Sequence, residues 1–232
     1  NYVDLLNEKP GAPIETFDQF KLDQIKELPA KTQEIIKLLS LTKMPIEQHV
    51  LMLASELERK PFTRHLKKLR ILFLASVHEH EARIKVRCFN SDVKELVYKS
   101  LSVDEKHVLL QHLIMAIDQG GEGQRQPNLL IPHLIEANHH PRAADMSFTL
   151  YQHGMDSMAF SFARKMLEQC IHLGEASKKR KDELQHKYAE VLALSGNGIS
   201  AADIYLGFAE KATVTQRLEY LKIAAELLLI NE

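Results

Sequence analysis

Apolar residues recur at the spacing of an α-helix along almost the whole chain, and the pattern breaks once. Between Leu72 and Phe89 the helical spacing gives way to strand character. There Arg83-Ile84-Lys85-Val86-Arg87 alternates polar and apolar with the period of two that a half-buried strand needs. Leu72–Val77 and Ala82–Phe89 are therefore expected to form a two-stranded hairpin with His78–Glu81 as its turn. Ahead of it the spacing predicts helices over 17–28, closed by Pro29, and over 30–41. Two more follow: 46–57 after the Met44-Pro45 break, and one opened by Pro61, where proline suits a first helical turn.

Helices followed by a hairpin predict a winged helix. After Asn90 the pattern is helical to the end. Residues 92–101 form one segment. Ser102 with Glu105 reads as a capping box for the next, which runs to Gln119. Gly120–Gln126 is expected to be a flexible polar loop. Six helices then follow near 127–138, 141–153, 156–173, 178–195, 199–211 and 214–230, with short connections that favour antiparallel neighbours. Gly154-x4-Ala159-x3-Ala163 parallels Gly196-x4-Ala201-x3-Tyr205-x3-Ala209. Small residues let two helices approach and larger ones fill the groove, as in tetratricopeptide (TPR)-like hairpins. The expected architecture is mainly α: a linker over 1–15, a winged-helix domain over 16–90 and TPR-like stacked helical hairpins over 91–232.

Composition narrows the function. Thirty Lys and Arg against 31 Asp and Glu leave no global field to gather nucleic acid or anionic membrane. The longest apolar runs, Ile71–Ala75 and Leu227–Ile230, are far too short to span a bilayer. Cys88 and Cys170 match no CxxC pattern and read as reduced. The chain starts without Met and stops inside a helical pattern, so it is read as a piece of a longer protein, cytoplasmic by default.

No catalytic motif stands out. Gly-Lys-Thr/Ser does not occur, and Gly120-Gly121-Glu122-Gly123 lacks the lysine and strand of a phosphate-binding loop. GxSxG and HExxH are also missing. His78-Glu79-His80-Glu81 and His139-His140 could supply metal ligands, but a solvated hairpin tip and a helix junction explain them as well. No catalytic, cofactor or metal residue is assigned. For nucleic acid the candidates are Arg64, Lys67 and Lys68 on the helix before the hairpin, with Arg83 and Lys85 on the hairpin itself. That helix carries no Asn or Gln to read bases, and nucleic acid is not the expected partner. Lys178-Lys179-Arg180-Lys181 reads as a solvated helix face.

Several segments resemble one family. Leu22–Pro29 and Thr32–Leu41 resemble the opening of the winged-helix region that follows the nucleotide-binding core in bacterial signal-transduction ATPases of the STAND/AAA type. Arg87-Cys88-Phe89-Asn90 to Tyr98, then Leu101 to Ile117, resemble the family's next segment, with Gln111-His112 on its Leu-His pair. Asn128–Leu173 and Tyr188–Leu229 resemble its Ala-rich helical hairpins. Two departures stand out: the family's His-Asp pair reads Asn90-Ser91, and an Ala-Gly turn reads Ala137-Asn138. The resemblance implies a non-catalytic regulatory segment whose parent binds ATP, often behind a serine/threonine protein kinase. Its partner would be another protein or the parent's own nucleotide-binding core. The alternative is a DNA-binding winged-helix regulator with a helical effector or dimerisation part.

Overall fold

A computed structural model describes residues 14–80, 83–174 and 178–230; the side chains of 14–18, 80, 124 and 178–180 lie outside the description. The chain is mainly helical with one small sheet, and it divides into two compact units, Asn1–Ala137 and Asn138–Glu232. The division falls after Ala137 rather than at Asn90. Of the expected linker, residues 1–13 lie outside the described residues and a helix already runs from Ile14.

The first unit comprises α1 (Ile14–Lys26), α2 (Ala30–Leu41), β1 (Ile46–Glu47), α3 (Gln48–Ala54), α4 (Arg59–Ile71), β2 (Ala75–His80), β3 (Arg83–Cys88), α5 (Ser91–Ser100), α6 (Val103–Gln119), α7 (Glu122–Arg125) and α8 (Pro127–Glu136). Helix α2 is its hub. Ile35, Ile36, Leu38, Leu39 and Leu41 are all buried, a wide apolar face on which α3, α4, α5, α6 and β3 pack, with Lys31, Glu34 and Lys37 on the remaining side. Its buried polar groups are satisfied: Ser40 donates to the Lys37 carbonyl, Thr42 at the C-cap to that of Leu39, and Thr32 Oγ1 meets His65 Nδ1 of α4 at 2.7 Å. Packing of α5 on α2 and α6 on α3, with Val93, Val97, Leu110 and Leu113 buried, draws the helices after Asn90 into this unit.

The sheet is antiparallel in the order β1-β3-β2. The expected hairpin is present, with Val77 opposite Val86, but its turn is displaced: β2 begins at Ala75 rather than Leu72, and His78, Glu79 and His80, expected in the turn, extend the strand opposite Lys85, Ile84 and Arg83. The helix expected over 46–57 is divided. Ile46 and Glu47 pair with Val86 and Lys85, satisfying the free edge of β3, and helix α3 starts only at Gln48. The expected loop 120–126 also holds a helical turn, and it is tightly packed. A Cβ on Gly120 would stand 2.8 Å from Val50 Cγ2.

The second unit comprises α9 (His140–Asp156), α10 (Phe160–Leu173), α11 (Lys178–Leu194), α12 (Gly198–Lys211) and α13 (Val214–Ile230), each packed on its neighbour in sequence. Helices α9 and α11 end alike. Met158 and Gly196 take left-handed backbone, with φ of 57° and 81°. The following amides of Ala159 and Asn197 donate back to Gly154 (2.8 Å) and Leu192 (2.9 Å), the signature of a Schellman end. Ala163 and Ala201 stand equally far beyond these turns and both are fully buried. The repeat therefore aligns Met158 with Gly196, one helical turn away from the Gly154–Gly196 alignment the sequence suggests.

Candidate functional site

Helix α5 opens beside the end of β3. Asn90 accepts a hydrogen bond from the Val93 amide at 2.9 Å, which fixes the N-cap. A pocket of about 410 Å³ lies at this start, lined by Thr42, Lys43, Arg87, Asn90, Ser91 and Lys94 among others. A second of about 290 Å³ shares Lys43 and Lys94. Three cations and a helix N-terminus favour an anionic group there. Lys43 is only loosely held by Glu136, 3.9 Å away, and Lys94 forms no ion pair among the described residues. Arg87 donates to Ser76 Oγ at 3.4 Å.

Behind the pocket the charges are fixed. Tyr98 donates to Glu136 at 2.9 Å, and Lys106 Nζ sits 4.0 Å from the Tyr98 ring centroid. The hydrogen bond to Glu136, then burial, pushes the Tyr98 pKa up. His133 is buried with Nδ1 unpartnered. Burial, reinforced by Lys43 and Lys94, pushes its pKa down to about 4, so it is neutral at pH 7. Burial also pushes the Cys88 thiol up to about 12, against the opposing pull of Lys94. Cys88 is therefore a poor nucleophile at neutral pH.

The larger groove between α2 and α6, about 580 Å³, is differently furnished. Its lysines are matched internally, Lys31 to Glu34 at 2.8 Å and Lys37 to Glu105 at 2.9 Å. It offers no surplus charge to a ligand through those pairs.

The structure separates the five basic residues expected to meet nucleic acid. Arg64, Lys67 and Lys68 share the exposed side of α4. Arg83 instead pairs with Glu47 at 2.8 Å, and Arg125 joins the same carboxylate at 3.3 Å. Lys85 donates to Gln126 at 3.4 Å and lies near the fully buried Glu122. The two hairpin cations thus face acids of their own unit. Within β2, His78 meets Ser76 Oγ at 3.1 Å, while Glu81 lies outside the described residues. Among the described residues no three His, Cys, Asp or Glu are grouped to hold a metal. The basic run opening α11 also falls largely outside them, with only the side chain of Lys181 described.

Sequence reasoning missed Lys43 and Lys94. The only signal was the Asn90-Ser91 start of α5, where the resembled family has its His-Asp pair. No family model matches the chain, and no curated protein does either.

Proposed function

We propose that this chain is a non-catalytic regulatory and protein-interaction segment of a larger bacterial signal-transduction ATPase. The reading rests on the basic pocket at the start of α5, which occupies the position of the resembled family's His-Asp pair. The succession α2-β1-α3-α4-β2-β3, with sheet order β1-β3-β2, supports a winged helix for the first unit. Sequential helix packing with buried Ala163 and Ala201 after matched turns supports TPR-like hairpins for the second. In this reading Lys43, Arg87 and Lys94 meet an acidic or phosphate-bearing surface of the nucleotide-binding core. The helical hairpins bind a protein partner. Such binding shifts the core only by the difference in affinity for its two states. ATP belongs to the parent and not to this segment.

The DNA-binding alternative loses two of its five residues, since Arg83 and Lys85 are engaged within the unit. The sequence preceding Asn1 tests the main reading. A phosphate-binding loop and nucleotide-binding core are expected there, and a parent without them would overturn it.

A further inference from the structure

Helix α4 concentrates charge in an otherwise balanced chain. Over Arg59–Ile71 it carries six Lys and Arg and no Asp or Glu. Lys60, Arg64, Lys67, Lys68 and Arg70 are exposed, and none forms an ion pair among the described residues. Lys60–Arg64 and Arg64–Lys68 are four apart and Arg64–Lys67 three apart, spacings at which like charges destabilise a helix. Lys60 to Arg70 spans about 15 Å along the axis. The ladder ends in an apolar tip, with Ile71 65% exposed, Phe73 64% and Phe89 44%.

That tip is held in place. Leu74 N donates to the Leu69 carbonyl at 2.9 Å and Phe73 N to that of Arg70 at 3.1 Å, while Leu69 and Leu74 are both fully buried. This is a Schellman end whose left-handed position, φ 54°, is filled by phenylalanine where glycine is favoured. The ring is kept outside the core and meets Phe89 edge to face, centroids 5.4 Å apart.

We propose that the cationic face of α4 and the Ile71–Phe73–Phe89 tip form one docking surface for an acidic, amphipathic protein segment. The inference rests on α4 and its tip and not on the nucleotide-core reading, although Phe89 also lines the pocket at the start of α5. The charge calls for a row of carboxylates and the tip calls for an apolar end to that row. A nucleic-acid backbone would satisfy the cations and leave the three apolar side chains uncovered. On the hairpin it would find Arg83 and Lys85 already engaged within the unit. A flat membrane would take the tip but miss a ladder that runs away from it.

Fluorescence anisotropy on the whole chain tests this with a labelled acidic peptide, Glu placed four apart and a Leu-Phe pair at one end. Duplex DNA and phosphatidylserine vesicles serve as competing probes. The peptide is expected to bind in a salt-sensitive manner, with Arg64→Glu plus Lys68→Glu weakening it about tenfold or more. Phe73→Gly separates docking from folding: it relieves the left-handed backbone, so Tm should rise while peptide affinity falls. The proposal is overturned if the peptide does not bind, if DNA or vesicles bind more tightly than the peptide, or if Phe73→Gly leaves peptide affinity unchanged.

Discussion

Gly154 of α9 lies so close to Ala163 of α10 that a Cβ on it would stand 3.0 Å from the Ala163 Cβ and 3.1 Å from its Cα. Both neighbours belong to the partner helix near its backbone, so little can move aside. Gly154→Ala should therefore force the helices apart and destabilise the chain by about 1–3 kcal/mol, as overpacking does. Gly207 of α12 has nothing within 4 Å of the same position. There the substitution should stabilise by about 0.5–1 kcal/mol through helix propensity alone. Urea unfolding of the two variants checks the opposite signs.

His133 should make the protein acid-sensitive. Its pKa falls from 6.5 to about 4 on folding, so between these values the unfolded chain binds more protons. Stability from this group is fully present above pH 6.5 and is lost as pH falls towards 4, by about 3 kcal/mol in all. His133→Leu should flatten that part of the stability–pH curve. An unchanged slope in the variant would contradict the assignment.

Glu122 should carry the opposite sign. Burial, then the neighbouring Glu47 carboxylate, raises its pKa, with the Glu47 backbone amide, Lys85 and Arg125 pulling it back. A carboxyl raised on folding favours the native state below its unfolded pKa and penalises it as pH rises through the folded value. Glu122→Gln should raise Tm at pH 7, and the advantage should vanish below pH 4. Thermal melts at the two pH values measure it.

The cap of α6 is a third stability element. Glu105 N donates to Ser102 Oγ at 3.2 Å, and Ser102 N donates to Glu105 Oε2 at 3.1 Å. Ser102→Ala should cost about 1 kcal/mol by chemical denaturation. The hydrogen bond from Lys37 leads the causes that lower the Glu105 pKa. The stabilisation from that shift is present above the ordinary Glu range and fades as pH falls through it.

This capping box was legible in the sequence because its partners lie three residues apart. Local patterns of that kind also located α2 and α13 closely, and they found the β2–β3 hairpin while setting its turn too early, on residues that extend β2. What the sequence hid was non-local. Strand β1 exists because β3 has an edge to satisfy, which a helical reading of 46–57 cannot register. The unit boundary moved to Ala137 because α5 and α6 pack on α2 and α3. The repeat register slipped because the eye aligns two glycines, whereas the left-handed turn residue of the first hairpin is Met158. For the site, Arg64, Lys67 and Lys68 were visible as one helix face. The engagement of Arg83 by Glu47, and the meeting of Lys43 with Lys94, need residues 36 and 51 positions apart to come together, and no local pattern encodes that.

The central claim is that the basic pocket at the start of α5 couples this segment to a nucleotide-binding core. The direct measurement is the release rate of fluorescent ADP from the full-length parent, wild type against Lys43→Glu plus Lys94→Glu. Both residues line the pocket, Lys43 holds only the loose 3.9 Å contact to Glu136, and a charge reversal there should loosen the closed state. The account predicts release accelerated about tenfold, within the usual range of coupling energies. Equal release rates in a variant that remains folded, or a parent that binds no nucleotide, would contradict it.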